Sequence, residues 1–426
     1  MKRILELFSM TVIVLFFLSI YGWAVNQVAN NNKKFGILNK PIEFLYTFPD
    51  LFKKSVKEVR ALPRTFIKTY EHFQPINSLE KDLLVFTSYS DSSNGRIMAL
   101  INLRNDSIHR MWSVENPFDE VARIVNPLYL SDGSVVYNYY YKANPGLTRL
   151  DPSGAIVWQN DSMVVHHGMN LNADGDLWAC TKSRAKASGR FSIDDKEIYF
   201  NDYRITKYDI GSGEIMFDKS ITEILVENGL ANYLFKTSNV KDPVHLNDVQ
   251  PALTGSKYFE EEDLFISMRG NSMILQYRPS TNELIHYWEG PFISQHDVDV
   301  VNDSTLVLFN NNTFENIRRQ GIEPIMPSDM KTAVDAGDHF SCLVAYHFDT
   351  DEWSFVGDTT FRANKIFTKN EGLFEYLDEE TYFVEEQNSG LLWVIRNDSV
   401  IYKNVLKSQN EGYHHLPNWT RIVSYE

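Results

Sequence analysis

Cysteine is scarce in this sequence. Only Cys180 and Cys342 occur among 426 residues, which is far too few for a disulfide scaffold. A single bridge between them is compatible with a compartment outside the cytoplasm, but the sequence does not require it. We therefore expect both thiols to be structural.

Positive charge is also in short supply, with 41 lysines and arginines against 56 aspartates and glutamates and a net charge of −15 at pH 7. Nucleic acids and anionic lipid surfaces repel an acidic protein at long range. We therefore expect no nucleic-acid partner.

Long apolar runs are absent except for one at the N-terminus. Residues 4–25 are almost wholly apolar and follow Lys2 and Arg3. About 20 such residues span a bilayer as a helix, and the positive end stays inside. The small residues of a signal-peptide cleavage site are poorly matched here. We predict an uncleaved transmembrane anchor over residues 1–25, which attaches the chain to a membrane.

Helical periodicity nearly disappears after residue 70. Residues 26–70 are predicted to be a linker with one amphipathic helix, whose apolar residues are spaced by three or four: Phe52, Val56, Val59 and Leu62. After the linker, short runs of Val, Ile, Leu, Tyr and Phe alternate with polar residues between turn-forming clusters. This pattern predicts an all-β domain over residues 71–426.

A unit of two hairpins recurs along this domain. Its second hairpin has an apolar strand, a turn such as D-P-S-G and a strand that often carries an aromatic residue. The six copies begin at Ala99, Thr148, Thr206, Leu275, Ala345 and Trp393, and another hairpin pattern precedes each copy, the first from Ser78. Six four-stranded units at spacings of roughly 50 residues predict a six-bladed β-propeller.

Glycosylation sequons also occur within this pattern. They lie at Asn105, Asn160, Asn302, Asn311, Asn397 and Asn418. Because N-D-S is ordinary chemistry for a hairpin turn, we interpret these asparagines as turn residues.

Three histidines share one position in consecutive units. His167 precedes the turn at Asp174 by seven residues, and His296 precedes the turn at Asp303 by the same seven. His245 occupies the equivalent place before a longer hairpin. The first strand of each propeller blade lines the central channel, so we expect the three imidazoles to converge near one mouth of that channel.

Further polar residues extend this candidate site. Arg269 lies on a strand that is predicted to run back beside His245, and its guanidinium offers a forked donor set for an oxyanion. Asn247 and Asp297 either orient an imidazole or make a turn. His166 is a secondary candidate. We group Asn247, Asp297 and His166 as substrate-binding residues.

Alternation along a strand places His166 on the opposite face from His167, although a shift of one residue would exchange them. A histidine without the shared position is usually structural. We interpret in this way the remaining histidines His72, His109, His286, His347, His414 and His415.

The segments that carry these residues resemble the arylsulfate sulfotransferase family, exported bacterial propellers that move a sulfuryl group between phenols without a nucleotide donor. The matching segments are HHGMNLNADGDLW from His166, VHLNDVQ from Val244, LFISMRG from Leu264 and QHDVDVVND from Gln295. Together they span about residues 166–310.

The resemblance implies a role for each catalytic candidate. His296 is the nucleophile that becomes transiently sulfated, and a neutral imidazole is a competent nucleophile near pH 7. His167 and His245 are acid, base or anion-binding groups. Arg269 holds the sulfuryl oxygens, on which negative charge accumulates during transfer.

The resemblance also implies the partners and the location. An aryl sulfate is the donor, a phenol is the acceptor, and the enzyme acts in the bacterial periplasm. No cofactor is expected, and the absence of a G-x-x-x-x-G-K-[ST] loop leaves the nucleotide-dependent route without support. A homodimer is one assembly that the family allows. The long spacer from His245 to Arg269 departs from the family pattern, so the resemblance does not identify the residues of the acceptor pocket.

Two other functions are compatible with the sequence. Three imidazoles around a channel bind zinc or another divalent ion in some enzymes, but Arg269 opposes the charge of a metal, so we expect none. A propeller without catalysis serves as a binding or scaffold module, since fold does not dictate function.

Overall fold

The computed structural model describes residues 2–29, 35–42, 44, 62–115, 123–140, 146–184, 188–237, 239–313 and 340–426. The chain separates into two compact units, Met1–Pro63 and Arg64–Glu426. Most of the predicted amphipathic helix, with Phe52, Val56 and Val59, lies outside the described residues. The predicted domain boundaries after residues 25 and 70 stay predictions.

The first unit contains the apolar run. Helix α1 (Lys2–Ala29) includes an 18-residue segment, Phe8–Val25, with a mean hydropathy of 2.0. A 3₁₀ turn follows at Gly36–Leu38. The length and composition of α1 are compatible with a membrane anchor or a signal sequence.

The second unit is built mainly from strands. The first fifteen are β1 (Phe66–Lys68), β2 (Ile76–Asn77), β3 (Leu83–Ser90), β4 (Arg96–Asn102), β5 (Ser107–Val114), β6 (Arg123–Tyr129), β7 (Val135–Tyr140), β8 (Leu147–Leu150), β9 (Ile156–Asn160), β10 (Met163–Leu171), β11 (Leu177–Ser183), β12 (Gly189–Ile193), β13 (Lys196–Phe200), β14 (Tyr203–Tyr208) and β15 (Ile215–Ser220).

The remaining strands are β16 (Leu246–Pro251), β17 (Leu264–Met268), β18 (Met273–Arg278), β19 (Glu283–Trp288), β20 (His296–Asn302), β21 (Thr305–Asn310), β22 (Cys342–His347), β23 (Glu352–Val356), β24 (Leu373–Asp378), β25 (Thr381–Glu386), β26 (Leu391–Arg396), β27 (Ser399–Lys407), β28 (Tyr413–His415) and β29 (Arg421–Tyr425). Short helices are α2 (Ile221–Glu227) and α3 (Asp358–Asn364), with 3₁₀ turns at Ala231–Phe235 and Arg269–Asn271.

These strands confirm an all-β, propeller-like arrangement. In the described part of the chain, five antiparallel sheets have four strands: β29-β3-β4-β5, β6-β7-β8-β9, β10-β11-β14-β15, β16-β17-β18-β19 and β20-β21-β22-β23. The prediction of six four-stranded blades is wrong, because there are five. The C-terminal repeat, β24 to β27, belongs to a seven-stranded sheet.

The extra strands of the seven-stranded sheet cover its outer edge. Strand β2 pairs with β27, and β28 pairs with both β27 and β1. An uncovered edge strand exposes unpaired backbone groups and invites association with other chains. Residues on the N-terminal side of the repeats therefore protect the edge of the C-terminal repeat.

The sheets close into a ring at the chain ends. The C-terminal strand β29 pairs with β3, with Ile422 opposite Val85, and is the innermost strand of the first sheet. The inner strands β6, β10, β16, β20, β24 and β29 contact one another in that order, and β29 also contacts β6. The hairpin expected from Ser78 therefore does not supply the inner strand there.

The core lies between neighbouring sheets. In the described residues each adjacent pair encloses an apolar cluster; for example, Phe86, Trp112, Ile124 and Tyr139 join the first two sheets. Burying one large apolar side chain contributes about 1.5–3 kcal/mol, so the packed faces supply the main stabilisation of the ring. Cys180 and Cys342 are buried free thiols.

A cavity of about 320 Å³ occupies the axis of the ring. Each inner strand contributes a polar side chain to it: Asn126, Asn170, Asp248, Asp299, Glu375 and Arg421. Burial, together with the nearby charges of Asp248 and Glu375, raises the pKa of Asp299 to about 8, against the opposing effect of Arg421.

Asp299 therefore makes stability depend on pH. Its pKa in the unfolded chain is about 3.9, so between that pH and about 8 the folded state binds more protons, and this contribution to stability falls as pH rises. We expect Asp299→Asn to raise the melting temperature more at pH 9 than at pH 5. Calorimetry at both pH values measures the melting temperature of this variant and of Asp303→Asn, a control at an exposed position. An equal gain in melting temperature at pH 5 and pH 9 would contradict the expectation.

Candidate active site

The inner strands that carry His167 and His296, and the strand that His245 directly precedes, are irregular at matching places. The pairing shifts within 165–169 of β10, within 246–248 of β16 and within 296–298 of β20. The backbone is left-handed at His167 and His245, with φ of 66° and 45°. A β-bulge bends a strand and re-aims the side chains beside it. The bulges turn the histidines toward one another.

The imidazoles of the matched histidines meet around His167. Its ring centroid lies 5.4 Å from that of His245 and 5.9 Å from that of His296. The indole of Trp419 stacks on His167 at 5.3 Å. His167 and His296 are buried, whereas the His245 side chain is 22% exposed. The roles of these three residues in catalysis stay predictions.

His166 does not lie on the opposite face from His167, as alternation along a strand predicted. The two rings stack with centroids 4.1 Å apart, because the bulge in β10 interrupts the alternation. His166 Nε2 lies 3.2 Å from the hydroxyl of Tyr203. The structure therefore adds a fourth imidazole to the cluster.

Asn311 determines the tautomer of His296. Its amide nitrogen donates to the carbonyls of Thr368 at 2.9 Å and Glu371 at 2.6 Å. This fixes Oδ1 toward His296 Nδ1, at 2.6 Å. Since an amide oxygen only accepts, Nδ1 must carry the proton. The lone pair of His296 is therefore on Nε2, which accepts from the backbone N–H of Glu371 at 3.2 Å.

Asp242 holds His245 in a similar way. Its Oδ2 lies 2.7 Å from His245 Nδ1. Burial raises the pKa of Asp242, but hydrogen bonds from His245 and Tyr203 and the charge of Lys182 lower it below its usual value overall. An ionised carboxylate accepts a hydrogen bond from Nδ1–H, so Nε2 of His245 is the ring nitrogen that can exchange a proton with a substrate.

Arg269 lies at the end of the strand beside His245. Strand β17 runs antiparallel to β16, as predicted, but Arg269 begins the 3₁₀ turn that follows β17 rather than lying on the strand. Its backbone N–H donates to the carbonyl of His245 at 3.2 Å. Its positive charge is close enough to lower the pKa values of His167 and His296.

Asn247 and Asp297 make their described hydrogen bonds away from the imidazoles. Asn247 donates to the carbonyl of Gln295 at 2.6 Å, and Asp297 accepts from the backbone N–H of Phe374 at 2.8 Å. The residues that orient the imidazoles are Asp242 and Asn311 instead. Binding of substrate by Asn247, Asp297 or His166 stays a prediction.

Burial keeps the central imidazoles neutral. Desolvation is the main cause that lowers the pKa of His167 and of His296 well below 6.5. Charge on neighbouring histidines and on Arg269 lowers the pKa of His167 further, and Arg269 does the same for His296. At neutral pH, His296 Nε2 is consequently an unprotonated nitrogen that is exposed to the positive charge of Arg269.

Three residues of the site were missed from the sequence. Asp242 lies three residues before His245, a spacing that offers a weak signal. Asn311 was interpreted only as a turn residue within a sequon. Trp419 precedes the closing strand and reaches the cluster through closure of the ring, which no local pattern indicates.

The family comparison identifies the family of the chain. Residues 126–403 match the arylsulfotransferase (ASST) family. The chain belongs to the arylsulfotransferase family. The match extends on both sides of the segment 166–310 that carries the matching motifs. Membership indicates sulfuryl transfer with aryl sulfate and phenol substrates. No curated protein matches the chain.

Two solved structures that are similar to this arylsulfotransferase chain share little sequence identity with it. A protein of unknown function from Bacteroides caccae is 9% identical with a TM-score of 0.49, covering 80% of this chain and 98% of its own. A catalytically inactive virginiamycin B lyase from Staphylococcus aureus, solved with quinupristin, is 12% identical with a TM-score of 0.41, covering 80% and 89%. Neither likeness carries an argument about function.

The neutral state of the arylsulfotransferase cluster can be measured directly. With histidine labelled in its ring carbons, we expect the NMR signals of His167 and His296 not to titrate between pH 8 and 6.5, because burial lowers both pKa values below 6.5. Loss of one signal in His167→Gln and of another in His296→Gln assigns them. A midpoint at or above pH 6.5 for either signal contradicts the expectation.

Proposed function

We propose that this arylsulfotransferase chain transfers a sulfuryl group from an aryl sulfate to a phenol through a transient sulfohistidine on His296. The observation that carries the proposal is the fixed lone pair of His296 Nε2, which lies within a cluster of imidazoles and near Arg269. A covalent intermediate divides one displacement into two easier ones.

In the first step, Nε2 of His296 attacks the sulfur of the donor. The N–S bond forms as the bond between sulfur and the aryl oxygen breaks, and the phenolate leaves. The Nδ1 proton remains on the ring and continues to donate to Asn311. The sulfated ring therefore keeps a positive charge, which makes it a good leaving group for the second step.

His245 handles the proton of the phenols. Its Nδ1 is held by Asp242 at 2.7 Å, so Nε2 is the atom that exchanges protons. In the first step His245 begins as an imidazolium, and its Nε2–H protonates the departing phenolate, which leaves the ring neutral. In the second step the neutral Nε2 removes the proton of the acceptor phenol as its oxygen attacks sulfur. The N–S bond breaks and His296 is restored.

Negative charge on the sulfuryl oxygens requires positioned donors. The guanidinium of Arg269 supplies a charged, forked donor set. The backbone N–H of Glu371, which lies 3.2 Å from Nε2, donates instead to a sulfuryl oxygen when sulfur bonds to that nitrogen. His167, between His245 and His296, contributes a further ring donor.

We also propose that helix α1 is an uncleaved anchor and that the β-domain acts outside the cytoplasm, in the bacterial periplasm. The support is the apolar segment Phe8–Val25 together with the positive Lys2 and Arg3 that precede it. Homodimer formation, which the family resemblance allows, belongs to the same proposal.

The covalent step gives the first test. After incubation of the full chain with an aryl sulfate, we expect mass spectrometry to find one added sulfuryl group on the peptide that contains His296. His296→Ala should lose the adduct and reduce transfer to a phenol to the uncatalysed background. His109→Ala, which removes an exposed histidine of β5, is the matched control. Turnover by His296→Ala at the wild-type rate rules out the proposed nucleophile.

Asn311 is proposed as a positioning residue for His296. Asn311→Ala removes the acceptor of Nδ1–H, so we expect kcat to fall by about 10²-fold, of the order seen on removal of one positioned polar group, with little change in KM. The ¹⁵N spectrum of His296 should show loss of the pure Nδ1–H tautomer.

The control for this prediction is Asn388→Ala. Asn388 accepts from the backbone N–H groups of Lys369 and Asn370, so its loss loosens the same loop without removing the acceptor of the imidazole. If Asn388→Ala lowers kcat as much as Asn311→Ala and the His296 tautomer is unchanged in both, Asn311 acts only through the loop.

A further inference from the structure

A second set of imidazoles overlaps the proposed sulfuryl site without including His296. In His166, His167 and His245, one ring nitrogen of each lies within 4.8 Å of the others. The ring centroids are 4.1 Å apart for His166 and His167, and 5.4 Å for each of these with His245. The bulge that stacks two consecutive histidines creates this arrangement.

Three neutral imidazoles with an open fourth position are a common donor set for zinc. With metal–nitrogen bonds of 2.0–2.1 Å, tetrahedral ligands lie about 3.4 Å apart. The nitrogens here are within 4.8 Å of one another. Side-chain rotations that move the nitrogens by roughly an ångström bring them to the spacing of tetrahedral ligands. Stacking of His166 on His167 means that the two rings must splay slightly as they bind.

The surroundings of the three rings suit a cation in one respect and oppose it in another. Asp242 accepts from Nδ1 of His245 at 2.7 Å, the carboxylate–histidine contact that orients ligands in metal sites. The hydroxyl of Tyr203, 3.2 Å from His166, restrains a second ring. The positive charges of Lys182 and Arg269 act against a dication.

We propose that His166, His167 and His245 form a binding site for a divalent transition metal such as Zn²⁺. Nitrogen ligands favour such a metal over Mg²⁺ or Ca²⁺. His296 is not a ligand of this site, because the ring nitrogens that lie within 4.8 Å of one another belong to His166, His167 and His245.

The site has a consequence for activity, which rests on the proposed function. His167 and His245 serve both the metal and sulfuryl transfer, so the two uses compete. Zn²⁺ therefore inhibits the transferase by occupying its acid–base groups, and a chelator restores the activity.

The experiment measures metal binding directly. The full chain, purified in detergent and stripped of metal, is titrated with Zn²⁺ in competition with a chromophoric chelator. We expect one ion per chain. Affinity should fall at least about 10-fold in His166→Gln and His245→Gln, and about 10- to 100-fold in Asp242→Asn, the range found when an outer-shell partner is removed.

His296→Gln and His109→Gln are the controls, and both should bind Zn²⁺ as the wild type does. For variants that unfold, X-ray absorption of Zn²⁺ bound to the wild type gives an independent answer, with three imidazole ligands expected. Absence of stoichiometric binding, equal affinity in the His166 and control variants, or fewer than three imidazoles overturns the metal site.

The two proposals fail separately. The adduct on His296 is measured on metal-free protein, whereas Zn²⁺ binding is measured without any aryl sulfate. Stoichiometric zinc without an adduct overturns the transfer mechanism alone, and an adduct without zinc overturns the metal site alone.

Discussion

Bulges in three consecutive inner strands are the constraint on which the site depends. A regular strand sends consecutive side chains to opposite faces, so His166 and His167 would then lie on opposite faces of the sheet that contains β10. The shifts in pairing beside His167, His245 and His296 aim them at one space. The closed ring holds the bulges in place, since each sheet packs on its two neighbours.

Burial and fixed acceptors then set the chemistry of that space. Desolvation keeps His167 and His296 neutral, and Asn311 and Asp242 determine which nitrogen of His296 and His245 carries the proton. On the axis of the ring, burial instead raises the pKa of carboxyls such as Asp299. Trp419 both lines this acidic cavity and stacks on His167, so the cavity and the imidazole cluster share a wall.

The sequence predicted the features that depend on local patterns. Alternating apolar residues and turn clusters predicted the strands, and the shared seven-residue spacing before Asp174 and Asp303 identified His167 and His296 as equivalent residues of different units. Arg269 was identified because the hairpin pattern predicts that its strand runs back beside the strand that follows His245. Each of these depends on residues close together in the chain or on repetition between units.

Features that depend on closure or on irregular backbone were not predictable in this way. The repeat count assumed equal blades, whereas β1, β2 and β28 extend the C-terminal repeat to a seven-stranded sheet. Alternation misplaced His166 because nothing in the local pattern indicates a bulge. Asn311 and Asp242 reach their histidines through loops whose paths depend on tertiary packing.

The most direct measurement is a crystal structure of the full chain with tungstate, an anomalously scattering tetrahedral oxyanion. We expect one anion in the space bounded by His167, His245 and His296, within hydrogen-bond distance of His296 Nε2 and of Arg269. An empty imidazole cluster at saturating tungstate, with anions bound only elsewhere on the protein, would contradict the proposal that these residues form a shared oxyanion site.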